Sequence, residues 1–329
     1  MNSRSRRLAG MLLACAGMSA AKIKQDDPLE AGRHAYESSE YARAVQILQG
    51  AAAKEPQNAE IQLLLTKSYY ELQEHDAAIA SAERAVALDP RNSVYHEWLG
   101  RAYGDKAEHS GMFSALSLAK KTHKEFEEAV RLDGKNFSAQ QALIEFDCSA
   151  PGMAGGGEDK ARPLIEHLAA MDAAEGHYAA GNCRRQKKDF IVADAEFAKA
   201  LESKPKSPDL IYDIGDYAMK RSEADRLVAV AEAGERVAPN DPRGKFYRAV
   251  GLILRKEKAE EAERLLREYL KNAPVRNGYP RLSVTHEWLG KLFEEQNQGR
   301  TAESEYQEAV KLDPKNKTAR EGLKRTAKN

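Results

Sequence analysis

The 329-residue sequence predicts an all-α solenoid of about eight helix-turn-helix repeats, ending in a C-terminal capping helix. Three observations predict it. Prolines recur at a fixed step: Pro56 to Pro90 and Pro205 to Pro239 are each 34 residues, Pro239 to Pro274 is 35, and Pro274 to Pro314 is 40. Four phrases, SAERAVALDP, FEEAVRLDG, AEFAKALESKP and YQEAVKLDP, share one amphipathic pattern that ends in a polar turn. Small residues occupy fixed places in each unit, so that two antiparallel helices can approach closely.

Composition removes the competing classes. The 51 basic and 51 acidic residues balance, which argues against a nucleic-acid partner. Twelve Pro and 22 Gly are too few for a collagen-like or disordered chain, and three Cys cannot staple a small scaffold. High Ala, Glu, Lys, Arg and Leu favour helix.

Residues 1–21, MNSRSRRLAGMLLACAGMSAA, read as an export signal. Arg4, Arg6 and Arg7 form a basic start, and an uncharged run from Leu8 to Ala21 follows. That run is shorter than the roughly 20 residues of a spanning helix, and it ends in small residues. Ser19-Ala20-Ala21 offers a cleavage site before Lys22, which would leave 48 basic against 51 acidic residues. Leu12-Leu13-Ala14-Cys15 resembles a lipoprotein signal, imperfectly because of Leu13, and makes Cys15 a candidate for lipidation. The expectation is therefore a periplasmic protein, or a lipoprotein of the cell envelope that meets the membrane only through an N-terminal lipid.

The repeats follow near 25–58, 59–92, 93–136, 137–173, 174–207, 208–241, 242–282 and 283–316. In the first helices the eighth position is small: Gly32, Thr66, Gly100, Gly181, Gly215 and Gly290. In the second helices Ala44, Ala78, Ala161, Ala193, Ala262 and Ala302 mark the crossing. Ala51, Ala85, Ala129, Ala200, Gly234 and Ala309 lie one turn from the end. Ile144 in repeat four, and Val250 and Tyr269 in repeat seven, break this pattern and predict splayed or shifted units. Residues 317–329 form the charged cap and tail that an array needs over its last apolar face.

At 34 residues per unit, with these small residues in place, the chain resembles the tetratricopeptide repeat family over roughly residues 25–316. The resemblance implies a right-handed superhelix and a non-catalytic scaffold whose first helices line a concave groove for a peptide or a partner domain. The fifth groove position would then carry Tyr178 and Tyr212, with Tyr247 one place further on in its repeat, as an aromatic stripe, and Asn182 and Asp216 at ninth positions. An amide such as Asn182 suits a peptide backbone because it both donates and accepts. These tyrosines could equally pack as core. The Lys and Asn set with which family members grip an acidic chaperone tail is not matched in any consecutive triple.

Two insertions interrupt the period. Repeat three gains ten residues within GDKAEHSGMFSALSLAKKTHKEF, which places Met112 and Phe113 at its edge. Repeat four replaces its turn with PGMAGGGEDK, which brings in Gly155, Gly156 and Gly157. Both fall on one edge of adjacent units, so they should be close in space and form a second contact surface, or else be tolerated lengthenings. The glycines lack the strand and GK[ST] of a phosphate loop. Pro163 suggests that the following helix starts late or kinks. The stretch from His96 to Asn136 is also similar to the regulator of microtubule dynamics family, which implies shared architecture over about forty residues.

Chemistry is sparse. HEWLG occurs at 96–100 and 286–290, but neither copy is HExxH, and the eight His show no ligand spacing. No catalytic residue, cofactor, metal set or small-molecule substrate is predicted. Cys148 and Cys183 lie in first helices of neighbouring repeats. They would pair if their Cα atoms came within about 7 Å, and would otherwise be small buried hydrophobes.

Overall fold

The computed structural model describes residues 27–275 and 278–326. The expected export signal, residues 1–21 with Cys15, lies outside the described residues. Among those described, every regular element is helical. Sixteen α-helices pair into hairpins: α1 Pro28–Glu37 with α2 Tyr41–Lys54, α3 Ala59–Glu71 with α4 His75–Leu88, and α5 Ser93–Glu108 with α6 Met112–Leu132. Then come α7 Phe137–Ser149 with α8 Glu158–Met171, α9 Ala173–Gln186 with α10 Phe190–Glu202, and α11 Pro208–Lys220 with α12 Ala224–Val237. The last pairs are α13 Arg243–Arg255 with α14 Ala259–Asn272, and α15 Leu282–Glu295 with α16 Gly299–Leu312, followed by α17 Lys317–Thr326. Each helix packs on its neighbours in sequence, which is the contact pattern of a solenoid.

Local chemistry sets both kinds of turn. Asn58, Asn92, Asn136, Asp172 and Ser207 sit just before first helices and accept hydrogen bonds from the free amides of the first turn. Within uninterrupted hairpins the chain reverses through a left-handed residue, Ser39, Gln73, Lys188, Ser222, Lys256 or Asn297, and the α13–α14 turn adds a second, Lys258. The amide after it reaches back five residues, as in Glu74 to Tyr69 (2.9 Å) and Gln298 to Phe293 (2.9 Å), which closes the helix end.

The small residues do what their spacing implies. A methyl group added at Gly32 would lie 2.4 Å from Leu48, at Gly100 2.6 Å from Phe126, at Gly181 2.6 Å from Phe197, and at Gly290 2.6 Å from Tyr306. A large residue of the second helix therefore lies flat on bare backbone of the first. The crossing alanines are buried, Ala44, Ala161, Ala193, Ala262 and Ala302 completely. Repeat six has Ala231 where repeats one, three, five and eight have Leu48, Phe126, Phe197 and Tyr306, and Tyr247 from the next hairpin fills the space against Gly215. Where larger residues replace small ones, Ile144, Val250 and Tyr269 are still buried at 1% exposure or less. Gly251, beside Val250, lets α13 approach α12 of the preceding repeat, where an added Cβ would lie 3.0 Å from Val228.

The insertion in repeat three is not a loop. Its extra residues lengthen both helices, to 16 residues in α5 and 21 in α6, and the turn is confined to residues 109–111. Helix α8 begins at Glu158, ahead of Pro163, rather than late. The bond that Pro163 cannot make belongs to the first turn, next to solvent-exposed Asp159. Cys148 and Cys183 form a disulfide with a Cα separation of 5.3 Å, joining α7 to α9.

The two HEWLG copies serve the hairpins. His96 Nδ1 lies 2.6 Å from Glu125 and its Nε2 3.1 Å from the Pro90 carbonyl. His286 pairs with Glu305 at 2.7 Å, and His177 repeats the arrangement with Glu196 at 2.7 Å. Trp288 is buried, whereas Trp98 is half-buried between Lys67 and Arg101.

Overpacking the close approach should be costly: Gly290→Val should lower unfolding stability by about 1–3 kcal/mol in urea. Gly50 has open space around it inside α2, so Gly50→Ala should raise stability, by up to about 1 kcal/mol. The His96 imidazole is held above its ordinary 6.5, first by its hydrogen bond to Glu125 and against the cost of burial. The folded state therefore binds the proton more tightly, so this pair's contribution is full below about pH 6.5 and is lost as pH rises through the raised value. Stability curves at pH 6 and pH 8 should show a larger gap between wild type and His96→Gln at pH 6.

Candidate functional site

A groove of about 650 Å³ runs across the first helices α5, α7, α9, α11 and α13. Its position follows from the hairpin order, which puts every first helix on one side of the array. Tyr178, Asn182, Tyr212 and Asp216 line it together with Glu175 and Arg243.

The aromatic stripe expected there is only partly present. Tyr178 is half-buried, and its hydroxyl donates to Asp213 at 2.8 Å. Tyr212 and Tyr247 are 2% and 1% exposed, stacked with ring centres 5.6 Å apart, and they belong to the core. Tyr247 does not line the groove. The cause is the glycine pattern: Tyr212 lies against Gly234 and Tyr247 against Gly215, each filling volume that a side chain would otherwise take. Tyr247 donates to Asp216 at 2.6 Å, so Asp216 has a structural partner as well as a place on the groove. Burial, then the Asp216 carboxylate, pushes the Tyr247 hydroxyl well above its usual range.

Asn182 is 8% exposed, and its Oδ1 has no hydrogen-bond partner although it lies in the groove wall. A buried carbonyl oxygen left without a donor costs on the order of 1–3 kcal/mol.

Arg243 carries no signal in the sequence pattern. Its guanidinium is 4% exposed and lies between the rings of Tyr212 and Tyr279, at 4.3 and 4.5 Å. It donates to Asp241 (2.7 Å), Asp209 (2.8 Å) and the Gly278 carbonyl (3.1 Å). Its place in the sequence, opening a helix after Asn240-Asp241-Pro242, belongs to no period. Its charge is spent inside the fold, and Arg101 is likewise occupied by Glu97 at 3.0 Å. Five carboxylates, on Glu145, Glu175, Asp209, Asp213 and Asp216, line the same groove, so its field is negative. Desolvation holds Glu175 and Asp216 above the usual carboxylate range.

The two insertions do touch, but not at the expected tip. A 3₁₀ turn, Gly152–Ala154, packs against α6, and Gly155 (φ 107°) sits about one methyl group from His123. Met112 and Phe113, 78% and 91% exposed, lie eleven or so residues along α6, about 16 Å away. The glycine run forms no anion cradle. Gly155 and Gly157 donate their amides to Gly152 (3.0 Å) and Asp147 (2.8 Å), and a Cβ at Gly156 would strike the Ala150 carbonyl. Beneath the turn, Asp147 is pushed up to about 6 by burial, against the pull of His123 at 3.1 Å.

Residues at the two ends of the array share cavities: Ser39 and Tyr41 with Pro274, Tyr279 and Leu312, and Tyr36 and Glu71 with Arg243. The superhelix thus curls until its first hairpin faces the α14–α15 connection. Among the described residues no helix is long and apolar enough to cross a membrane.

Residues 35–102 match the sequence profile of the tetratricopeptide repeat. No curated protein matches the chain. Among solved structures it is similar to a thermophilic tetratricopeptide repeat protein of Thermus thermophilus, with 22% identity, coverage of 56% of this chain and 93% of that one, and a TM-score of 0.46. It is also similar to a tetratricopeptide repeat protein from Parabacteroides merdae, with 14% identity, coverage of 91% and 97%, and a TM-score of 0.46. A third is the C-terminal part of a repeat-containing protein from Cytophaga hutchinsonii, with 17% identity, coverage of 90% and 99%, and a TM-score of 0.38. Residues 35–102 thus carry tetratricopeptide repeats, and the helical hairpins that follow continue in the same order to α16.

Proposed function

We propose that this chain is a non-catalytic scaffold that binds a protein partner through an extended segment bearing Lys or Arg, laid along the groove of first helices. The observation that carries this reading is the orphaned Asn182 Oδ1 set in a wall with five carboxylates and only two, internally paired, arginines. A peptide N–H would satisfy Asn182, and cationic side chains would meet Glu175 and Asp213. The half-buried Tyr178 supplies apolar contact at the groove floor.

Export completes the reading. A disulfide between Cys148 and Cys183 persists in oxidising compartments, which agrees with the signal-like residues 1–21.

Fluorescence anisotropy with a labelled Lys-Ser-Thr repeat peptide, beside a matched Glu-Ser-Thr peptide, tests the groove. The basic peptide should bind and weaken with salt, and Asn182→Ala, Glu175→Gln and Asp213→Asn should each cost about tenfold in affinity. Equal binding of the acidic peptide, or indifference to all three substitutions, would sink the proposal. Intact-mass spectrometry of protein made in a bacterial host tests export. A chain starting at Lys22 marks a soluble exported scaffold and a lipid-modified Cys15 an envelope-anchored one, while retention of Met1 would overturn export.

A further inference from the structure

His75, Asp105 and His109 are 30 and four residues apart in sequence, yet their ligating atoms all lie within 4.8 Å of one another. His75 opens α4, Asp105 sits in the last turns of α5, and His109 follows the end of α5. The hairpin geometry of repeats two and three therefore assembles a His₂Asp set that no spacing in the linear chain announces. It is separate from the groove and opens into a cavity of about 450 Å³ edged by Glu74, Asp76 and Lys106.

We infer that these three residues form a surface site for a divalent transition-metal ion, Zn²⁺ foremost. Two imidazoles and one carboxylate are a common zinc donor set. Tetrahedral ligands at about 2.0–2.1 Å from zinc are about 3.3 Å apart, so ligating atoms within 4.8 Å need only small side-chain rotations to close on an ion.

The hydrogen bonding already orients the donors. His109 Nδ1 lies 2.9 Å from the Asp105 backbone carbonyl, which can only accept, so Nδ1 carries the proton and Nε2 keeps its lone pair for a metal. His75 Nδ1 faces Asp105 Oδ2 at 2.5 Å, the two groups an ion would come between. The rings stack at 4.6 Å and 26°, which holds the two imidazoles side by side. Lys106, which edges the same cavity, is engaged by Asp76. The carbonyl end of α5 also offsets the amide end of α4. Three protein ligands leave one position for water or for a partner's side chain.

The test is calorimetric titration of Zn²⁺ into the untagged full-length chain, stripped with EDTA, near pH 7.5. One saturable site with a dissociation constant below about 10 µM is expected, weakened at least about 30-fold by His75→Gln or His109→Gln and unchanged by His167→Gln on exposed α8. Circular dichroism of each variant checks that the helices persist. In the wild type, which needs no variant, Zn²⁺ should shift two imidazole resonances, those of His75 and His109, and Co²⁺ should develop visible ligand-field absorption that Asp105→Asn alters. Absence of saturable binding at 100 µM Zn²⁺, or zinc affinity equal in wild type and both histidine variants, would overturn the site.

Discussion

Half of the hairpins depend on backbone left bare at one position so that a large side chain can lie on it. Gly32 under Leu48, Gly100 under Phe126, Gly181 under Phe197 and Gly290 under Tyr306 bring the two helices of a unit together at one repeated spacing. A single angle and offset per unit then propagates down the array, because each repeat contacts chiefly its neighbours. The side on which first helices meet solvent, and hence the groove, follows from this pairing. Repeat six shows how strict the volume requirement is. Its second helix offers only Ala231, and the missing ring is borrowed as Tyr247 from the next unit.

This dependence explains what was legible in the sequence. Alternation of small and large residues at a 34-residue step is local and periodic, so the all-α array could be read from it. Asn caps and αL turn residues reinforce the same reading at each boundary. The Tyr stripe misled because the period specifies a position on a helix and leaves open which way an aromatic ring leans. Gly215 and Gly234 carried the needed signal, since a glycine facing a tyrosine leaves a volume that the ring will take.

The candidate sites were less legible because they are built from charges and from pairs across repeats. Arg243 is recognisable only once Tyr212, Tyr279 and Asp209 surround it. The His75–Asp105–His109 cluster needs α4 and α5 placed side by side. The insertion in repeat three was visible as a count of extra residues, but whether a count becomes loop or helix depends on helix propensity within it. ALSLAKK, rich in good helix formers, continues the periodic pattern and extends α6 instead of interrupting it.

The Cys148–Cys183 bond links two first helices of successive units, α7 and α9. In a one-dimensional stack the seam between units is where fraying from either end is free to pass, since only neighbour contacts hold it. A covalent link at that seam turns repeats four and five into one mechanical block near the middle of the chain. Unzipping that starts at the N-terminal hairpin must stop there or melt both units together. Tension along a partner held in the groove would likewise be borne by sulfur rather than by side-chain packing. Reduction would restore the seam and let the superhelix stretch like a spring with one more coil free.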